Sequence, residues 1–158
     1  MTCTLLLAIV FTTALQSLWA SSSPRTALER LSEARPNVRW DAKSGLRADF
    51  DCDGRPDQAF LGRNAGRVYV GVVRAAAQKP EILDFAVDAS IQEAICGEPA
   101  ELVVESLDYD PMEAVGSIDR FQRSRRCRCR GLELSGGECD SIHLFWNHAS
   151  NRLDWWRE

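Results

Sequence analysis

Four aspartates within nine residues are the side chains of this sequence best suited to chemistry. They are Asp49, Asp51, Asp53 and Asp57. They take positions 1, 3, 5 and 9 of a loop that has Gly54 at position 6. This spacing lets the carboxylates converge on one Ca²⁺, and the glycine allows the sharp backbone turn that the loop needs. The Arg55 carbonyl at position 7 would be a further ligand. Because crowded carboxylates repel each other without a cation, the loop at 49–57 predicts a site for Ca²⁺ or a similar hard cation.

An acidic surface turn is the alternative interpretation of the same residues. Asp, Gly and Pro are ordinary turn residues, because each favours a backbone conformation that reverses the chain. On this interpretation the carboxylates are solvated and hold no ion.

The loop also resembles a known calcium-binding motif. Asp-Phe-Asp-Cys-Asp-Gly-Arg-Pro-Asp, followed by Gln-Ala-Phe-Leu-Gly, is similar to the loop of FG-GAP repeats of the integrin-alpha type, also called VCBS-like, in which an acidic loop joins two antiparallel strands. The resemblance implies a ligand set of Asp49, Asp51, Asp53, the Arg55 carbonyl and Asp57. The sequence departs from the family at Cys52, where a small residue such as glycine is usual. The match occurs once, and 158 residues are too few for a propeller of four-stranded blades.

The C-terminal segment carries a second resemblance. Gly-Gly-Glu-Cys-Asp-Ser-Ile-His-Leu-Phe-Trp-Asn-His, with Leu-Asp-Trp-Trp-Arg after it, is similar to the endings of uncharacterised bacterial exported proteins. That resemblance implies export but no activity.

The first 20 residues predict a secretory signal. Residues 4–15 form an uncharged apolar run, and Ala20 precedes three serines, which is typical of cleavage near that residue. The run is shorter than the roughly 20 residues that a spanning helix needs, although an uncleaved anchor is the alternative because no Lys or Arg precedes it. We therefore expect a periplasmic or secreted protein without a spanning segment after cleavage.

Five of the six cysteines lie outside the signal. They are Cys52, Cys96, Cys127, Cys129 and Cys139. In an oxidising compartment they favour disulfides over metal thiolates. The predicted pairs are Cys129 with Cys139 across a hairpin and Cys52 with Cys96, with Cys127 as the competing partner of Cys139.

The elements around the loop are predominantly strands. Alternating or β-rich stretches predict strands at 58–62, 67–73, 82–87, 101–107, 124–134, 141–146 and 152–157, a helix at 25–34 and a helical turn at 89–96. The prediction is one α+β, β-rich domain at 21–158, mainly an antiparallel sheet of short strands with an N-terminal helix and one or two helical turns.

Two stretches are candidate binding surfaces. Arg126, Arg128 and Arg130 alternate with cysteines, so on a strand they share one face and form an arginine strip suited to an anionic envelope ligand or an acidic partner. The alternative is a solvated edge strand. Trp155 and Trp156 are adjacent, so on a strand one faces inward and the other outward. An outward tryptophan is typical of a binding surface, and the alternative is that the tryptophans cover the core of the sheet.

Catalytic residues are not predicted. Asp140, His143 and His148 are the nearest approach to an acid–base or metal cluster, but on a strand the two histidines face opposite sides. No serine-nucleophile motif, glycine-rich phosphate loop or zinc-protease motif is present. A hydrogen-bonded structural histidine is the better interpretation.

The composition argues against one class of function. The net charge of −4 argues against a general nucleic-acid binder. The sequence predicts an exported, non-catalytic binding or structural module that holds Ca²⁺ and meets an unknown protein or an anionic envelope ligand. The alternatives are a small metal-assisted hydrolase of the cell envelope and a secreted inhibitor or toxin-associated factor.

Overall fold

The computed structural model of the chain describes residues 25–109, 121 and 129–157. The predicted signal at 1–20 lies outside these residues, as do Cys127, Arg126 and Arg128. Among the described residues, no helix is long and apolar enough to span a bilayer.

Two antiparallel sheets make up the described fold. The first contains β1 (Arg39–Trp40), β2 (Leu46–Ala48), β3 (Asp57–Asn64), β4 (Arg67–Val73) and β5 (Glu81–Ala86), in the order β1-β3-β4-β5 with β2 also paired to β3. The second contains β6 (Ala100–Ser106), β7 (Arg130–Gly136), β8 (Ile142–Asn147) and β9 (Arg152–Trp156), in chain order. One helix, α1 (Ala27–Ala34), and a 3₁₀ turn at Ala42–Ser44 accompany them.

The strands follow from alternation of apolar residues. Val68, Val70 and Val72 of β4 are fully buried on one side of the first sheet because side chains in a strand alternate between faces. Ala65 and Gly66 join β3 to β4 with φ of 45° and 74°, and two positive φ angles match the right-handed twist of a hairpin. The predicted strand at 67–73 is confirmed.

The core lies between the two sheets. Side chains of both sheets form one buried cluster, and Phe85 of β5 meets Trp155 of β9 edge to face at 5.6 Å between ring centroids. Two sheets that face each other in this way form a sandwich. The fold is therefore more completely β than the α+β prediction.

The segment at 89–96, predicted as a helical turn, forms two single turns and no helix. Ile91 donates its N–H to the Asp88 carbonyl at 3.2 Å, and Ala94 donates to the Ile91 carbonyl at 3.1 Å. Ile95 donates its backbone N–H to the Ala86 carbonyl, and Asp88 donates to the Ile95 carbonyl. These bonds and the bridge between Val87 and Ile95 close the segment as a loop at the end of β5.

Helix α1 covers the outer face of the first sheet and matches the prediction for 25–34. Thr26 and Glu29 form a reciprocal capping box at its start, which satisfies N–H groups that a helix leaves unpaired. Leu31 is fully buried against the sheet. A Cβ at Gly71 would lie 2.5 Å from Leu31 Cδ2, so the glycine permits the close approach of helix and strand.

Candidate functional site

The acidic loop is closed by the antiparallel pairing of β2 and β3, in which Ala48 lies opposite Asp57. Asp49, Asp51 and Asp57 each place one carboxylate oxygen within 4.8 Å of the others. Asp57 and Asp51 are buried, with 1% and 8% of their surface exposed. Three of the predicted ligands therefore converge, and two of them do so away from bulk solvent.

Asp57 connects the loop to the end of β4. Its Oδ2 accepts a hydrogen bond from the Phe50 N–H at 3.0 Å, and its Oδ1 accepts one from the Ala75 N–H at 2.8 Å. Burial raises the pKa of Asp57, and these two N–H groups oppose the shift. The carboxylate is a structural element of the loop whether or not a cation is bound.

Backbone N–H groups of the loop turn towards the other two carboxylates. Asp49 accepts hydrogen bonds from the N–H groups of Asp53 at 3.1 Å and Gly54 at 3.0 Å. Asp51 accepts a second bond from the Asp53 N–H at 3.1 Å. These bonds preserve the curvature of the loop and place its acids on the inside.

Cys52 lies at the position where the sequence departs from the FG-GAP pattern. Its φ is 63°, a left-handed conformation that favours glycine and costs a side-chain-bearing residue roughly 1–2 kcal/mol. The Cys52–Cys129 disulfide restrains the residue in that conformation.

Asp53 and Arg55 do not join the converging group. The Asp53 carboxylate is bound by the Arg55 backbone N–H at 2.8 Å and by the Arg55 guanidinium at 3.2 Å. Both residues are exposed, so they form a surface pair. The Arg55 carbonyl as a ligand stays a prediction.

Arg74 contacts the acidic loop, although no sequence pattern predicted it. Its Nη1 lies 3.2 Å from Asp51 Oδ2, and its guanidinium stacks 4.4 Å from the ring centroid of Trp146. Three converging carboxylates against one guanidinium leave a formal charge of −2, which suits a divalent cation. No local pattern identifies Arg74, because its partner lies 23 residues earlier in the chain.

The four cysteines predicted to form disulfides do so, but their predicted partners are wrong. Cys52 pairs with Cys129 and Cys96 pairs with Cys139, at Cα–Cα distances of 4.7 and 5.6 Å. Cys129 and Cys139 lie at opposite ends of β7, and seven residues of strand span about 23 Å, so no bridge between them is possible.

The Cys52–Cys129 bridge belongs to the acidic loop. The Arg130 N–H donates to the Asp49 carbonyl at 2.8 Å, which brings the start of β7 against the loop. The bridge thus ties the loop, which leaves the first sheet, to the second sheet.

The two tryptophans point to opposite faces, as predicted. Trp155 packs partly buried against the core between the sheets, whereas Trp156 is only 8% exposed on the outer face of the second sheet. At Trp156 the structure favours the core-covering alternative, because Leu107, Phe145 and Trp156 form a small buried cluster of their own. A binding surface there stays a prediction. Trp155 is held by its contact with Phe85.

Of the three residues of the arginine strip, the structure describes only Arg130. Arg130 is exposed at the start of β7, and no ion pair of its side chain occurs among the described residues. The shared face of the three arginines stays a prediction.

His143 is hydrogen-bonded, as the better of the two interpretations predicted. Its Nδ1 lies 3.0 Å from Glu105 Oε2, and its ring stacks on Trp156 at 4.3 Å between centroids. Tyr109 donates its hydroxyl to Glu105 at 3.3 Å, and burial raises the pKa of Tyr109. His148 is exposed after β8, so the two histidines form no joint site.

Comparisons with known proteins do not identify a family for this chain. No family model matches the chain, and neither a curated protein nor a solved structure matches it. The FG-GAP resemblance therefore stays a prediction that rests on the residues of the loop.

Proposed function

We propose that the chain is an exported, non-catalytic binding or structural module whose acidic loop holds one Ca²⁺. The observation that carries the proposal is the convergence of Asp49, Asp51 and Asp57. Three carboxylates offer up to six oxygens, and Ca²⁺ takes six to eight oxygen ligands. The residual charge of −2 left after Arg74 matches the charge of the ion.

The position of the loop supports a structural role for the ion. The loop contacts the end of β4 through the Ala75 N–H and the start of β7 through the Arg130 N–H. The Cys52–Cys129 bridge adds a covalent tie to the second sheet. A cation in the loop would strengthen the junction between the two sheets, since it would remove the repulsion among the acids there.

The burial of the acids favours this role over metal-assisted hydrolysis. Asp51 and Asp57 are buried and already accept hydrogen bonds from the protein. A hydrolytic metal needs an open position for water or substrate. Two disulfides suit an oxidising compartment, which supports the periplasm or the exterior as the location.

The test is thermal unfolding with Ca²⁺ and with EGTA. At a hundredfold excess of Ca²⁺ over Kd, binding to the native state alone stabilises by about 2.7 kcal/mol, which corresponds to about 5–10 °C in Tm. Asp51→Asn should abolish this response. Asp53→Asn is the matched control and should retain it, because Asp53 is paired with Arg55 on the surface.

A wild-type protein whose Tm is the same in Ca²⁺ and in EGTA would refute the calcium site. Mg²⁺ at the same concentration should give a smaller shift, because it demands a more regular octahedral shell.

A further inference from the structure

A cleft with a basic rim lies on the outer side of the first sheet. It opens between α1 and the connection from β4 to β5 and has a volume of about 600 Å³. Its charged lining residues are Arg25, Arg30, Arg35, Lys79, Glu33 and Glu81. Four cations against two carboxylates make the rim positive, although the whole chain carries a net charge of −4.

The two carboxylates of the cleft are already engaged. Glu33 pairs with Arg25, and Glu81 lies 3.9 Å from the Arg74 guanidinium. In the part of the chain that the structure describes, Arg30, Arg35 and Lys79 have no carboxylate partner. The charged side chains that line the cleft therefore sum to +2, from four cations and two carboxylates.

Arg30 is held in place by the protein itself. It extends from α1, is partly buried, and donates from Nη2 to the Ala77 carbonyl. This bond uses one of the five N–H donors of the guanidinium. An anchored arginine loses little side-chain entropy when it binds a ligand, so the cleft has a pre-positioned donor.

The rest of the lining suits an organic anion. Ala34, Pro80 and Ile82 supply apolar surface, and Gln78 supplies a neutral amide. A smaller cleft of about 430 Å³ adjoins it and shares Arg25, Arg30 and Gln78. Polar donors at a rim beside apolar surface would hold a charged group and the carbon skeleton attached to it.

We propose that this cleft binds a phosphate-bearing organic anion. A phosphate dianion can neutralise two of the three unpaired cations, and a guanidinium donates two parallel hydrogen bonds to phosphate oxygens. The phosphate belongs either to a soluble monoester or to a phospholipid headgroup. The site is separate from the acidic loop, so it should bind in EGTA as well as in Ca²⁺.

The experiment is a calorimetric titration of the purified protein in EGTA. The probes are inorganic phosphate, phenyl phosphate, and vesicles of phosphatidylglycerol with phosphatidylcholine vesicles as the neutral control. We expect phenyl phosphate or phosphatidylglycerol to bind, with a Kd that rises with salt because exposed charges are screened. Arg35→Gln/Lys79→Gln should weaken binding by about tenfold or more, since it removes two charged donors.

The control is Arg152→Gln, which removes an exposed arginine from β9 in the other sheet and should leave the Kd unchanged. Arg30→Lys is a second test that keeps the charge and removes the guanidinium fork. It should weaken phosphate binding while the protein remains folded by circular dichroism. Preference for phosphatidylglycerol over phenyl phosphate would assign the headgroup, and the reverse would assign the monoester.

Two results would overturn the proposal. One is the absence of binding to all phosphate probes, and the other is an unchanged Kd in both Arg35→Gln/Lys79→Gln and Arg30→Lys. Because the titration is made in EGTA, either result leaves the calcium site standing, and a failed calcium test leaves the cleft standing.

Discussion

The acidic loop and the basic cleft differ in whether their charges are compensated within the fold. In the loop, Asp57 and Asp51 are buried, and backbone N–H groups and Arg74 compensate them from within the fold. In the cleft, Arg35 and Lys79 are exposed without a carboxylate partner among the described residues. Charge that is compensated internally stabilises the fold, whereas charge left over at a cleft is available to a ligand.

Arg74 lies between the two regions. Its guanidinium is 3.2 Å from Asp51 in the loop and 3.9 Å from Glu81 at the cleft. Its single positive charge is therefore shared between two acids, with Asp51 the nearer, and its removal should affect both regions. Changes confined to the loop should alter stability, and changes confined to the cleft should alter binding.

The largest effect should follow loss of the bridge that anchors the loop. Cys52→Ser/Cys129→Ser opens a link between residues 77 apart in sequence, and we expect it to cost about 2–4 kcal/mol of unfolding free energy. Urea denaturation measures this, and phenyl phosphate binding should persist in the folded fraction. A non-reducing peptide map that joins Cys52 to Cys96 would contradict the structure.

The next largest effect should come from Asp57→Ala. The change leaves the Phe50 N–H without its acceptor in a buried site and the Ala75 N–H without its acceptor in a partly buried one. An unpaired buried donor costs about 1–3 kcal/mol, and the Ala75 N–H, which water can reach, costs less. We expect about 2–3 kcal/mol of destabilisation in EGTA. Asp53→Ala is the matched control and should cost less unfolding free energy. An equal loss in Asp53→Ala would show that the burial of Asp57 does not make it more important for stability than Asp53.

Arg74→Gln should have an intermediate effect that Ca²⁺ partly reverses. In EGTA we expect a loss of about 1–2 kcal/mol, because Asp51 loses its charged hydrogen bond. Added Ca²⁺ should restore more stability than in the wild type, since the ion replaces the missing positive charge. Thermal unfolding at matched Ca²⁺ concentrations tests this, and a smaller calcium response than in the wild type would contradict it.

The smallest effect on stability should come from the cleft. Arg35→Gln/Lys79→Gln changes exposed side chains and should alter the unfolding free energy by about 0.5 kcal/mol or less, even where it weakens phosphate binding tenfold. A destabilisation above about 1 kcal/mol would show that the cleft cations stabilise the fold, and the contrast with the loop would then fail.

Local spacing predicted much of the fold. The strand at 67–73 and the helix at 25–34 follow from apolar residues that repeat at the period of each element. The closed acidic loop follows from five residues, of which Gly54, with φ of 85°, supplies the turn. These features were predictable because each depends on residues a few positions apart.

Residue spacing therefore predicts the loop, most of the strands and the set of four bonded cysteines. The packing of the two sheets brings Cys52 to Cys129, and the pairing of β3 with β4 brings Arg74 near Asp51. Packing also separated Asp57, which is buried and accepts a hydrogen bond from the Ala75 N–H, from Asp53, which stays on the surface with Arg55. Residue spacing predicts contacts between residues a few positions apart in the chain. Contacts between residues tens of positions apart depend on how complete strands pack, so the spacing does not predict them.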